Sequence, residues 1–141
     1  MSIEVNPYIL LEGQAREAIT FYQESLGARL LFIQTAGEVP QQPDAPKTAA
    51  EQALIAHSVL RIGDSTVFVA DLEPGQTLRK GNAINICIST EDAGTSEQLF
   101  SALKADGEVE IELGPAYFSP AYGMLTDKYG VTFQIFTKRP R

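Results

Sequence analysis

At 141 residues, with 44% hydrophobic and 21% charged side chains, the chain is long enough to bury one core without disulfide or metal staples, and its composition excludes disordered and fibrous architectures. Its 11 Lys and Arg against 18 Asp and Glu give a formal charge of −7, which repels phosphate backbones and argues against nucleic acid as a partner. A single cysteine, Cys87, cannot close an internal disulfide, no apolar run is long enough to span a bilayer, and MSIEVNPYILLEG lacks a basic segment leading into a long apolar one, so a cytoplasmic chain without membrane association is expected.

The first element, NPYILL, reads as a buried strand that ends at Glu12 and Gly13. From Gln14 to Leu26 the residues Ala15, Ala18, Ile19, Tyr22 and Leu26 recur at helical spacing, and Gly27 suits a C-terminal cap. ARLLFIQT reads as a strand, and the segment 36–52, with three prolines, reads as a long surface loop. In LIAHSVLRIGDSTVFVAD two strands are joined at Gly63-Asp64, a pair suited to a two-residue type II′ turn. The order is βαβββ.

After the connection LEPGQTLRKGN the pattern restarts with the strand AINICIST, in which Cys87 is expected to act as a small buried hydrophobe. A helix follows with Leu99, Phe100 and Leu103 on one side and a capping box of Thr95 and Gln98. The strand VEIEL, the loop GPAYFSPAY and the hairpin GMLTDKYGVTFQIF, with Asp127 serving its turn, complete a second βαβββ unit. Residues 5–71 and 83–137 therefore read as diverged copies joined by a linker, 72–82, within one domain spanning 1–141. A shift of 78 places Phe21 and Tyr22 on Leu99 and Phe100, and Leu10 on Ile88.

The segments EGQAREAITFYQESLGARLLF, TAGEVP, IAHSVLRIGDSTVFVAD and YGMLTDKYGVTFQIF together resemble the PhnB-like branch of the vicinal oxygen chelate superfamily, which includes glyoxalase I, extradiol dioxygenases, fosfomycin-resistance enzymes and bleomycin-binding proteins. The resemblance implies an α+β fold in which two βαβββ modules form a curved, cup-like mixed sheet with helices outside and a small-molecule ligand within. It also implies a homodimer, with the modules paired within one chain or swapped between two.

Metal enzymes of the superfamily hold a divalent ion through His, Glu or Gln on the first and last strands of the modules, so that the ion grips two substrate oxygens as a Lewis acid. Carried onto this chain, the first-strand histidine of the fosfomycin-resistance enzymes falls at Pro7, which has no side-chain donor. The position opening the second module falls near Ala83, or at Asn85 if the register slips by two. The final-strand glutamate becomes Gln134, four residues after Gly130, with Val69 as its counterpart in the first module. The expectation is no metal and no cofactor. Gln134 is instead a neutral amide able to orient a polar ligand, or a group that is satisfied by its own neighbours or points to solvent on an outer face.

His57, the only histidine, lies on the sheet face away from Val69 if the Gly63-Asp64 turn has two residues, and on the other face if the loop has three. Tyr117, Phe118 and Tyr122 could form the wall and lip of a ligand site or pack as ordinary core. The expected ligand-binding set is Gln134, His57, Tyr8, Asn85, Tyr117, Phe118 and Tyr122, with no catalytic residue assigned. The implied function is a small-molecule-binding protein of the glyoxalase/bleomycin-resistance type, its sharpest form an acidic dimer that sequesters a cationic drug. The alternative is a metal-dependent lyase, transferase or dioxygenase built on His57, Gln134 and a carboxylate such as Asp71. A methyltransferase label attached to the family finds no glycine-rich strand-to-helix turn here, since LLEGQAREA has one glycine.

Overall fold

A computed structural model describes residues 2–39 and 48–140. The chain divides into two compact units, Met1–Arg79 and Lys80–Arg141. No described helix is long and apolar enough to cross a membrane.

The first unit contains β1 (Tyr8–Leu11), α1 (Ala15–Leu26), β2 (Arg29–Thr35), α2 (Ala49–Ala53), β3 (Ile55–Ile62) and β4 (Ser65–Asp71). Its sheet has the order β1-β4-β3-β2, with β1 parallel to β4 and the other pairs antiparallel. Alternation sets its two faces. Ile9, Leu11, Leu60, Val67 and Val69 are buried, as are Ala15, Ala18, Ile19 and Tyr22 of α1. The next residues in register, Tyr8 and Leu10, are 49% and 43% exposed on the face without a helix. Gly27 takes the left-handed cap at φ +66°, and the Ala28 N–H reaches back to the Tyr22 carbonyl (3.2 Å).

The other end of α1 depends on a residue 56 positions away. Asp71, closing β4, accepts the Ala15 N–H on Oδ1 (3.0 Å) and the Ile55 N–H on Oδ2 (2.9 Å). One carboxylate thus caps the helix N-terminus, where negative charge is favoured, and pins the start of β3. The turn between β3 and β4 has two residues, with Ile62 paired to Ser65 and positive φ at Gly63 (+57°) but not at Asp64, the type II′ pattern.

The segment expected to be an unstructured loop, 36–52, contains a 3-10 turn, Ala36–Glu38, and α2. Each is fixed by a capping box, Thr35 with Glu38 and Thr48 with Glu51, in which a hydroxyl and a carboxylate satisfy otherwise orphaned amides. The three prolines of this segment lie outside the described residues.

The second unit contains β5 (Ile86–Thr90), α3 (Ala93–Leu103), β6 (Glu108–Ala116), β7 (Ser119–Thr126) and β8 (Thr132–Thr137), in the sheet order β5-β8-β7-β6. Five expectations are corrected here. The cap of α3 is Asp92, which accepts the Thr95 N–H (2.8 Å) and hydroxyl (3.0 Å), rather than a Thr95/Gln98 box; these bonds hold the Asp92 carboxyl below the ordinary carboxylate range. GPAYFSPAY is not a loop, because β6 runs to Ala116 and β7 starts at Ser119, leaving Tyr117 and Phe118 as a tight hairpin tip.

Cys87 is exposed, since Ile88 and Thr90 are the β5 residues on the helix side. The copies also differ by one residue between strand and helix, three residues separating Leu11 from Ala15 but two separating Thr90 from Ala93. The helices match at a shift of 78, whereas the strand pairing Ile9 with Val69 matches that of Ile88 with Ile135, a shift of 79. Leu10 therefore does not correspond to Ile88, and the counterpart of Gln134 is Phe68, not Val69, which is fully buried on the helix side.

Beneath α3 runs a buried chain of hydroxyls. Thr137 Oγ1 donates to the Ala121 carbonyl (2.7 Å), so Ser96, 2.6 Å away, gives its proton to Thr137. Thr90, 2.6 Å from Ser96, directs its own between Ser96 Oγ and the Asp92 carbonyl (2.9 Å). Thr137→Val keeps the shape but removes the bond to the Ala121 carbonyl and leaves Ser96 to donate to Thr90 instead, and should lower stability by about 0.5–1.5 kcal/mol in urea unfolding. An unchanged midpoint would show that the chain is not energetically coupled.

Candidate functional site

In the second unit the face of the sheet opposite α3 is organised around Gln134, at the centre of β8. Its backbone pairs with Cys87 on β5 and Met124 on β7, so those side chains share its face. The Tyr122 hydroxyl donates to Gln134 Oε1 (2.8 Å), and Gln134 Nε2 donates to Asn85 Oδ1 (2.9 Å). Asn85 in turn donates to the Asn82 carbonyl (3.1 Å). Neighbouring side chains thus satisfy part of Gln134, and one N–H of Gln134, one N–H of Asn85 and the lone pairs of the Tyr122 oxygen are left over.

Aromatic rings flank this chain. Phe118 meets Tyr122 edge-on (4.8 Å between centroids) and lies parallel to Phe136 (6.0 Å, 4° between planes). Tyr117, 90% exposed, touches Phe118 edge-on at the hairpin tip, where Arg139 donates to its carbonyl. Phe136 was not among the expected residues. Its place two residues after Gln134 in an alternating strand was the signal that could have found it.

In the first unit the two-residue turn puts His57 on the face away from Val69, resolving the alternatives for its direction. Its Nδ1 lies 3.0 Å from the Tyr8 hydroxyl, and its ring packs against Phe68 (5.2 Å) and Phe32 (6.1 Å). Phe32 was missed because a register shift in β2 between Leu30 and Phe32 breaks the alternation. The expected residues thus fall into two groups: Asn85, Tyr122, Gln134, Phe118 and peripheral Tyr117 in the second unit, and Tyr8 with His57 in the first.

The donor set does not fit the superfamily's metal centre. The residue at the first-strand position, Pro7, offers only a backbone carbonyl, already accepting from Phe68 N–H (2.9 Å). Asn85 and Gln134 are neutral and bonded to each other. Asp71 has one backbone N–H on each oxygen. Among the described residues no three His, Cys, Asp or Glu side chains are grouped to hold an ion. An ion at Gln134 would have to replace the bonds there without gaining a carboxylate, the ligand that supplies most of the Coulomb attraction for hard cations.

A family model described as 3-demethylubiquinone-9 3-methyltransferase matches residues 3–136. The chain belongs to that family. Protein PA1353 of Pseudomonas aeruginosa is 27% identical and superposes with a TM-score of 0.84, over 99% of this chain and all (100%) of that one. The PhnB protein of Bacillus cereus, described as a putative 3-demethylubiquinone-9 3-methyltransferase, is 21% identical with a TM-score of 0.78, over 96% and 99% of the two chains. The fold extends to the fosfomycin resistance protein FosX of Listeria monocytogenes, 10% identical, TM-score 0.69, over 99% and 95%. This PhnB-type chain is a vicinal oxygen chelate member with two βαβββ modules, a glyoxalase/bleomycin-resistance-like domain.

In the PhnB-type site, Tyr122→Phe and Asn85→Ala each remove one partner of the half-buried Gln134 amide. Each should cost about 0.5–1.5 kcal/mol in denaturant unfolding, and the double variant should depart from additivity by about 0.5 kcal/mol or more. Strict additivity would show that the three groups do not act as one network.

Proposed function

We propose that this PhnB-type chain binds a small organic molecule without a metal ion, through the second module's open sheet face. The reading is carried by one observation: Gln134, at the position for which the resemblance implies a carboxylate in metal-dependent relatives, is held between Tyr122 and Asn85, with the rings of Phe118 and Phe136 alongside. Such a surface recognises a planar ring by stacking and a neutral polar group by the amide hydrogens left over. The matched ligand has an aromatic ring and an uncharged acceptor such as a carboxamide or ketone oxygen. Two amide N–H groups meet that acceptor, while an anion gains no ionic partner from the side chains of this network.

No bond-making step follows from these residues. The network is neutral throughout and contains no strong general base or nucleophile, so its contribution is to bind and orient. The methyl transfer named by the family description is not supported by the turn after β1, where Gly13 is the one glycine and Asp71, rather than a bound anion, satisfies the Ala15 amide.

Benzamide serves as a probe of this class. Titration calorimetry of the full chain should detect weak binding, in the millimolar range that corresponds to about −4 kcal/mol. Gln134→Leu and Phe118→Ala should each weaken it by about fivefold or more, roughly the loss of one hydrogen bond or one ring contact. Equal binding by the wild type and both variants would contradict the reading.

A further inference from the structure

The first module contains a cleft that the reading above does not use. It has a volume of about 490 Å³, within the range of drug-sized sites, and lies where the ends of β1, β3 and β4 meet the segments around Ala36 and Leu54 and the turn following Leu72. Leu10, Leu54, Ile55 and Ala70 supply apolar wall, and Tyr8 closes one side. The short side chains of Ala56 and Ala70 leave its floor open.

The polar lining has one sign. Asp71, Glu51 and Glu73 border the cleft, and among the described residues no Lys, Arg or His does. Asp71 is partly buried and fixed, each oxygen engaged by one backbone N–H and retaining a further lone pair. Glu51 is held by its capping box with Thr48 and has its second oxygen free of that bond. Among the described residues none of these three carboxylates is joined to a cationic side chain in an ion pair such as that of Lys138 with Glu91. A negative charge held rigidly beside apolar surface, screened less than one in open water, is a site that gains from an incoming cation.

We propose that this cleft binds an organic ammonium: a protonated amine drawn in by the combined charge of Asp71, Glu51 and Glu73, carrying an apolar or aromatic body that covers Leu10 and Leu54 and lies against the Tyr8 ring. A bare inorganic cation does not use the apolar wall, and a neutral molecule does not use the charge. The assignment rests on this cleft alone and is independent of the reading of the Gln134 face.

The test is an amide-resolved NMR titration of the full chain with phenethylammonium, its neutral isostere 2-phenylethanol serving as the comparison. The ammonium should shift the Ala56, Ala70, Glu73 and Gln76 amides saturably and bind about tenfold more tightly than the alcohol, a difference of about 1.4 kcal/mol. Raising NaCl to about 0.5 M should remove much of that preference. Glu51→Gln combined with Glu73→Gln should weaken the ammonium about tenfold while leaving the alcohol unchanged, since glutamine also closes a capping box. Equal affinities for the two probes, or shifts confined to Asn85, Tyr122 and Gln134, would overturn the assignment while leaving the second module's site standing. Loss of benzamide affinity in Gln134→Leu with ammonium binding intact would show that the two sites are separate.

Discussion

Each four-stranded sheet in this chain has two faces and one long helix to cover them. α1 buries Ile9, Leu60 and Val69, and α3 buries Leu125, Phe133 and Ile135, so in each sheet one face supplies the apolar core. The opposite face is free of that packing demand, and the composition there changes. In the first unit it holds Tyr8, Phe32, His57 and Phe68; in the second, Asn85, Tyr122, Gln134 and Phe136. Tyr8, His57, Asn85, Tyr122 and Gln134 each join a ring or stem that packs to a polar end that needs a partner, and Phe32, Phe68 and Phe136 supply ring surface beside them. Much of the candidate chemistry follows from this division of the two faces.

The helix-side core is itself partly polar in the second unit. Thr90, Ser96 and Thr137 form a directed run of hydroxyls that ends on the Ala121 carbonyl, and Ser119 bonds the Thr137 carbonyl (2.7 Å). Such a run is tolerated because no buried side-chain polar atom among the described residues lacks a partner. Gly123 belongs to the same packing problem: a Cβ there would come within 2.7 Å of the Phe100 ring and 3.0 Å of the β6 backbone. The close fit of α3 on the sheet fixes β7, and β7 carries Tyr122 to Gln134. In the first unit Asp71 plays the corresponding part, joining the start of α1 to the start of β3.

Much of this was legible in the sequence, and the gaps have physical causes. The βαβββ order, the Gly27 cap and the Gly63-Asp64 turn follow from local chemistry that tertiary contacts do not override. The direction of His57 followed once the turn length was known. Leu10 was matched to Ile88 wrongly because a one-residue difference between strand and helix is invisible to a helix-based shift; Val69 was matched to Gln134 one residue out of register, and one residue reverses the face of a strand. Cys87 looked buried within INICI because an apolar run does not say which of its alternate residues faces the helix. The Asp71 cap spans 56 residues and leaves no local signal. Asn85 and Gln134 were both singled out from the sequence, but their bond to each other could not be read there, because it depends on the parallel pairing of β5 with β8.

At the centre stands the neutrality of the Asn85–Gln134–Tyr122 chain. Amides and a phenol can orient a ligand, yet they lack the net charge with which a site offsets the dehydration of a divalent cation. Elemental analysis after dialysis against equimolar Mn²⁺, Ni²⁺ or Zn²⁺ tests this most directly. Retained metal far below one ion per chain, and equally low in Gln134→Ala, is the result expected; one tightly held ion per chain that Gln134→Ala releases would contradict the account.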